Sequence, residues 1–523
     1  MDLNTLLLWF VAAAGLLMLY RAGRARRGGW VVVALLVLGA TGGALAVRPS
    51  LAGYVGGGLL AVLVVAPLTG YRRLFHHTVR GEYGKARRLA AALRVLHPAD
   101  GWRELPRLLE ALESGRPEAV AEAAAEREAD RSGQTGVGRL GVALLYRLHN
   151  QWKELQDWLH ANLSPAELAR DPNMLALMLR TYGELGDPQG LLRTYGQFDA
   201  AIRSMGLGIY RNMCRLFVFA FCGRRDVVAR LFDGPLALYP QGVQRFWLAT
   251  AQMAAGRAEE ARQELEAARD EADALTRAGI ERRLEWPLPA ADEALGPEAR
   301  QQLAAIEDEL DQEERYSPRQ VLLRGRAHVT EVLLAINVAV FVLELVHGGS
   351  TDPLTLYRLG ALDTHAVAEG QWWRLAASTF LHYGWLHLAV NMAALLLLGP
   401  FVEFALGWWR FLVTYLASGI GSMGGIVVLG QWLGWEAQFV VGASGAIMGL
   451  IGATGAVLLR GWARERAQVA RRRLGFVVFV VLFQVVFDLS TPEVSFHAHF
   501  GGVVVGFAVA SLLRHHVGGR GEA

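Results

Sequence analysis

The sequence predicts an all-α, polytopic membrane protein carrying a soluble helical domain, and three observations predict it. Of 523 residues, 53% are hydrophobic, and the mean hydropathy of +0.25 places part of the chain in a bilayer. Uncharged runs of membrane length occur nine times, three before residue 72 and six after residue 325. The stretch between them is charged, rich in Ala, Leu, Arg and Glu, and poor in strand signals. These patterns divide the chain into an N-terminal membrane region (1–71), a helical domain (72–325), a second membrane region (326–515) and a tail (516–523).

The first three runs cover 3–20, 28–47 and 51–71. The first has no basic residues before it and is followed by Arg21, Arg24, Arg26 and Arg27, which favours a retained helix over a cleaved leader. Three crossings then deliver the chain to the cytoplasm, where Arg72, Arg73, Arg80, Lys85, Arg87 and Arg88 follow.

Within 72–325 a weak repeat is readable. Gly81, with Tyr83, Ala86 and Leu93, precedes Pro98 by seventeen residues, and Gly223, with Val228 and Phe232, precedes Pro240 by the same interval. Gly186 and Gly256 fit the same helix–turn–helix template, with spacings of 37 and 33 along the last three glycines. The pattern resembles the tetratricopeptide repeat in degenerate form, with a generic helical bundle as the alternative. Either reading gives a cytoplasmic domain suited to a protein partner. The region 270–320, dense in Glu, Asp and Arg, reads as a solvated helix plus linker.

A net charge of only +3 gives no reason to expect a nucleic-acid partner. Cys214 and Cys222 lie eight apart without metal-ligand spacing or a disulfide framework, and read as buried thiols. Cofactor signatures are absent from the sequence. The Ala-, Arg- and Gly-rich composition points to a GC-rich bacterial source and so to a bacterial cytoplasmic membrane.

The last six runs lie near 329–347, 385–402, 411–430, 437–459, 474–490 and 494–513. Arg460, Arg464, Arg466, Arg471, Arg472 and Arg473 crowd one loop, which the positive-inside rule makes cytoplasmic. The loops at 431–436 and 488–493 carry Glu436, Asp488 and Glu493 without Lys or Arg, and are outside. Ser444, sixteen residues before Arg460, then lies about 24 Å from the cytoplasmic end. His499 falls in the same outer layer, just past the last outside loop. A hydroxyl and an imidazole must come within about 3 Å for proton transfer. Gly445 and Gly449 beside Ser444, and Gly502 and Gly506 beyond His499, are the small residues such an approach requires. His387 and Asn391, at i and i+4, put an imidazole and a carboxamide on one helix face near the same outer end, as donors to an oxyanion.

With Trp373-Arg374, His382 and Gly442-x-Ser444-Gly445 added, these motifs resemble the rhomboid intramembrane serine proteases over residues 326–515. The resemblance implies a six-helix bundle with Ser444 as nucleophile and His499 as general base, a dyad with no required carboxylate. The oxyanion would rest on the Ser444 backbone N–H, His387 and Asn391. Trp373 and Arg374 would support a loop in the outer leaflet, and loop 488–495 with the fifth helix would gate substrate entry. Substrates would be transmembrane segments of other proteins, cut from the lipid bilayer without cofactor or metal. The family commonly has an aromatic residue where this chain has Met448, a thioether able to fill the space. His382 reads as structural or water-contacting. His497 lies about 200° round a helix from His499, which argues against a shared metal. Two other functions compete: a catalytically silent adaptor with the same core, and a transporter or channel, which the lack of charged or broken inverted repeats disfavours.

Overall fold

The computed structural model describes residues 2–24, 28–96, 105–114, 136–205, 208–270, 272–316, 327–434, 439–491 and 495–513. They form two compact units, one ending at Glu307 and one beginning at Asp308. Arg26, Arg27, Glu436, Glu493 and the tail lie outside the described residues. Eight helices among the described residues are long and apolar enough to cross a membrane, and a ninth, Phe496–Leu512, is apolar but 17 residues long. The chain is an all-α integral membrane protein.

The first unit opens with α1 (Leu3–Arg24), α2 (Gly28–Val47), α3 (Ala52–Leu60) and α4 (Ala66–Val79). A π-helical turn, Ala61–Val65, joins α3 to α4, so the third predicted run continues past 71 as one helix to Val79. Pro67, just beyond that turn, has no N–H to close the normal ladder, which accounts for the wider turn before it. Val11, Val33, Val37 and Leu60 form the core of this small bundle.

The remainder of the unit is built of helix pairs: α4 with α5 (Tyr83–Leu96), α6 (Gly136–Leu148) with α7 (Trp152–Asn162), α8 (Pro172–Glu184) with α9 (Pro188–Gln197), α10 (Gly208–Phe221) with α11 (Arg225–Asp233), and α12 (Gln241–Ala254) with α13 (Ala258–Ala268). Each pair is joined by three residues, and the middle one is left-handed: Gly81, Asn150, Gly186, Gly223 and Gly256, with φ between 55° and 82°. At every joint the next amide bonds back to a carbonyl five residues earlier, as in Asp187 N–H to Tyr182 O at 2.9 Å and Gln151 N–H to Tyr146 O at 2.8 Å. This is the Schellman closure, which stops a helix where a residue tolerates positive φ. Glycine adopts that conformation freely and asparagine tolerates it.

The expectation of a solvated helix plus linker over 270–320 is corrected for the described residues 272–316, which form helices with buried faces; 271 and 317–320 lie outside the described residues. Within α14 (Ala274–Glu285), Arg283 is only 1% exposed, and its guanidinium meets Glu184 at 2.8 Å. Glu184 also binds Arg180 at 3.0 Å, and Arg180 stacks between Trp152 and Trp247. Leu303 and Ile306 of α15 (Pro297–Tyr316) are buried too. Charge density concealed a helix that turns Arg283 inward, where a carboxylate and aromatic rings receive it.

The second unit contains α16 (His328–Val346), α17 (Gly384–Leu406), α18 (Trp408–Leu433), α19 (Ser444–Glu465), α20 (Gln468–Ser490) and α21 (Phe496–Leu512). Consecutive helices run up and down. The starts of α17, α19 and α21 therefore share one end of the bundle with the ends of α16, α18 and α20. The helix limits differ from the apolar runs because caps, not hydropathy, set them. Gly407 (φ 83°) and Gly434 (φ 67°) bound α18, and α19 begins only at Ser444. Asp488 therefore lies in the last turn of α20, not in a loop.

A three-helix seam of small residues holds the middle of this unit. Added methyl groups on Gly445 and Gly449 would strike Ser422 and Ser418 of α18, while on Gly502 and Gly506 they would strike the backbone of Gly445 and Gly449. The glycines therefore bring three backbones together, rather than the two the spacing suggested. Without water between the helices, this close van der Waals packing is what associates them. At the other end, the Glu403 carboxylate caps α16, accepting from Val329 N–H (3.0 Å), Thr330 N–H (2.9 Å) and the Thr330 hydroxyl (2.7 Å).

Candidate active site

Ser444 is placed by what precedes it. Strand β1 (Leu362–Asp363) pairs antiparallel with β2 (Phe439–Val440), fixing the chain just before the serine. Gly442 then donates its N–H to Ser378 O at 2.9 Å and turns with φ 133°. Only glycine fits there: an added methyl group would also lie 2.7 Å from the His387 ring. Ser444 is the first residue of α19, so its backbone N–H has no partner within the helix and sits at the positive end of the helix dipole.

His387 projects from the first turn of α17 against this Gly442–Ser444 corner. Asn391, one turn on, is 5% exposed, and its Nδ2 is buried without a hydrogen-bond partner. A buried carboxamide donor left open costs stability, and here it stands one turn below the histidine that borders the serine.

His499, in the first turn of α21, is 8% exposed. Its Nδ1 lies 2.9 and 3.0 Å from the two oxygens of Asp488 on α20. The Gln484 amide donates to Asp488 at 2.7 Å and approaches Nδ1 at 3.3 Å. With Nδ1 engaged, Nε2 is the ring nitrogen left for Ser444. No hydrogen bond joins Ser444 Oγ to His499 among the described residues; such bonds are often long until substrate is bound.

Sequence reasoning missed Asp488 and Gln484 as site residues because Asp488 counts there as a charge of the outer loop 488–493, although the apolar run 474–490 contains it. The i, i+4 spacing of Gln484 and Asp488, fifteen and eleven residues before His499, was the available signal. The expected dyad without a carboxylate is thus accompanied by one. Glu344 was also missed: it is fully buried on α16, and one oxygen accepts the His382 N–H at 2.8 Å. His382 is fully buried, with Nδ1 3.2 Å from Phe380 O, and packs edge-on to the His387 ring.

The remaining residues lie around this centre. Arg374 is 3% exposed. It donates to Tyr357 O at 2.7 Å, Ala361 O at 2.9 Å and Gln371 Oε1 at 2.7 Å, and stacks on Tyr357. It pins the loop that carries β1. Trp373 is half exposed and closes over Gly360. Met448 is buried one turn after Ser444, and the His497 ring packs edge-on against Phe496. Of the expected gate loop, 492–494 lie outside the described residues.

A polytopic bundle with a serine at one helix start and a histidine at another defines a class of membrane protein, and the comparisons identify it. A family model of the rhomboid domain matches residues 369–516. The chain is 34% identical over 162 residues to a protein of Bacillus subtilis (strain 168) named "Putative rhomboid protease YdcA", covering 31% of this chain and 74% of that one. It is 33% identical over 204 residues to "Rhomboid protease GluP" of the same organism, covering 39% and 38%. Against "RHOMBOID-like protein 5" of Arabidopsis thaliana it is 35% identical over 159 residues, covering 30% and 50%. The chain belongs to the rhomboid family. It spans half or less of the length of the last two relatives.

Proposed function

We propose that this protein is an intramembrane serine endopeptidase that cuts transmembrane segments of other membrane proteins. The observation that carries the reading is the meeting of four groups at one end of the bundle: the Ser444 helix start, His387, the unpartnered Asn391 amide and the held His499 ring. In the proposed reaction Ser444 Oγ attacks the scissile carbonyl carbon as its proton passes to His499 Nε2. The carbonyl electron pair moves to oxygen, where the Ser444 N–H, Asn391 Nδ2 and His387 can donate. The imidazolium then protonates the leaving amine, and water releases the acyl group by the same route.

The arginine-rich turn between Arg460 and Arg473 supports placing this site towards the outer face of a bacterial cytoplasmic membrane, with 72–325 inside. We read the five Schellman-joined helix pairs as a tetratricopeptide-like array that binds a cytoplasmic protein or selects substrates. On this reading the chain divides at 71, 325 and 515.

The open Ser444–His499 contact is also what a silent adaptor would present. The two readings separate on the full-length protein in liposomes with a transmembrane substrate. Ser444→Ala and His499→Ala should each abolish cleavage and labelling by a fluorophosphonate probe. Cleavage unchanged in both variants sinks the protease reading, and a folded wild type that neither cleaves nor labels favours the adaptor.

A further inference from the structure

We infer that Asp488 is a positioning residue for His499, holding the ring in the tautomer that leaves Nε2 free to take the Ser444 proton; this rests on the protease reading above. A neutral imidazole carries one N–H, and which nitrogen bears it is set by the bond the other nitrogen makes. Two groups compete for Nδ1. The Asp488 carboxylate can only accept and lies at 2.9 and 3.0 Å; the Gln484 amide nitrogen can only donate and lies at 3.3 Å. The shorter, charge-assisted contact prevails, which puts the hydrogen on Nδ1. Gln484 serves it, because its amide is already given to Asp488 at 2.7 Å. When Ser444 Oγ–H transfers its proton to Nε2, the ring becomes a cation and the carboxylate on Nδ1 stabilises it in place.

The pair is almost fully enclosed, with side chains 10% and 1% exposed, so water neither screens it nor substitutes for it. Asp488 also belongs to an otherwise loosely held helix: within α20 only Ala470, Phe487 and Asp488 are buried. Outward movement of the end of α20 would therefore withdraw the carboxylate from the base.

The test uses full-length protein in micelles, with Asp488→Ala and the isosteric Asp488→Asn. Both should lower kcat by at least about 10-fold, a part of the ~10²–10⁴-fold a general base contributes, and leave KM nearly unchanged. The asparagine amide can turn its N–H towards Nδ1 and impose the wrong tautomer, so restoring size should not restore rate. Histidine ¹⁵N shifts, with His499 assigned by its loss in His499→Ala, should show protonated Nδ1 in wild type and a changed pattern in both variants. A kcat within about twofold of wild type together with an unchanged ring would overturn the assignment. If wild type and Ser444→Ala cleave equally, the protease reading fails on its own. The ring shifts still decide this claim: unchanged in Asp488→Asn overturns it, and changed supports it.

Discussion

Replacing Gly506 by alanine should remove most cleavage without unfolding the individual helices. The added methyl carbon would lie 2.5 Å from both Cα and the carbonyl carbon of Gly449. Non-bonded carbons rest at about 3.5–4.0 Å, so α19 and α21 must part by roughly 1 Å. No side-chain rotation relieves this overlap, because the neighbour is backbone and Gly449 of α19 is also packed against Ser418 of α18. Ser444 rides on one of these helices and His499 on the other, so the separation falls directly on the proposed proton transfer. A misplacement of about 1 Å costs on the order of 10²-fold in rate. The assay is the initial rate of cleavage of a fluorogenic transmembrane substrate by full-length protein, with thermal unfolding measured in parallel. Gly424→Ala and Gly475→Ala, whose added methyl groups meet nothing within 4 Å, are the controls and should stay within about twofold. A folded Gly506→Ala that cleaves as fast as these controls would refute the claim that the close approach positions the pair.

Three further outcomes follow from other parts of the molecule. Glu403→Ala strips three donors of their acceptor at the start of α16 and should destabilise the second unit by about 2 kcal/mol or more, read as a lowered Tm in micelles. Glu184→Gln leaves two buried guanidiniums without their carboxylate and should cost about 3–5 kcal/mol, read as faster hydrogen exchange across Pro172–Glu184. Burial alone would raise the Glu184 carboxyl, but Arg283 and Arg180 outweigh it and hold it below the ordinary value of 4.5. Its stabilisation is therefore complete above pH 4.5 and lost as pH falls through the lowered folded value. Exchange protection in the wild type should fall below that point, and Glu184→Gln should show no such step. Burial pushes the Cys214 and Cys222 thiols up to about 12, so iodoacetamide should modify both only after unfolding.

What could be read from the sequence was local and periodic. The apolar runs located every membrane-length helix among the described residues, and four glycines marked four of the five left-handed joints. The fifth, Asn150, carries no glycine signal, although asparagine is the other residue that closes a Schellman turn readily. The start of α19 was placed seven residues early, since hydropathy cannot see that Phe439 and Val440 are spent on a two-residue ladder with Leu362 and Asp363. That ladder joins segments more than seventy residues apart, and nothing in either segment announces the other.

The same limit explains Asp488. As a charge it was useful for orientation, and being counted there it was not asked for a partner. Yet a carboxylate enclosed in a membrane bundle is tolerable only when something receives it. Glu403 receives the start of α16, Glu344 the His382 amide, and Asp488 the His499 ring. The first caps a helix through two backbone N–H groups and the Thr330 hydroxyl, and the second fixes a loop through a backbone N–H. Asp488 alone is satisfied by the side chain of the proposed base. A purely structural carboxylate could have taken a backbone partner as the other two do, and that contrast is the reason to look for its effect in the chemistry rather than in the fold.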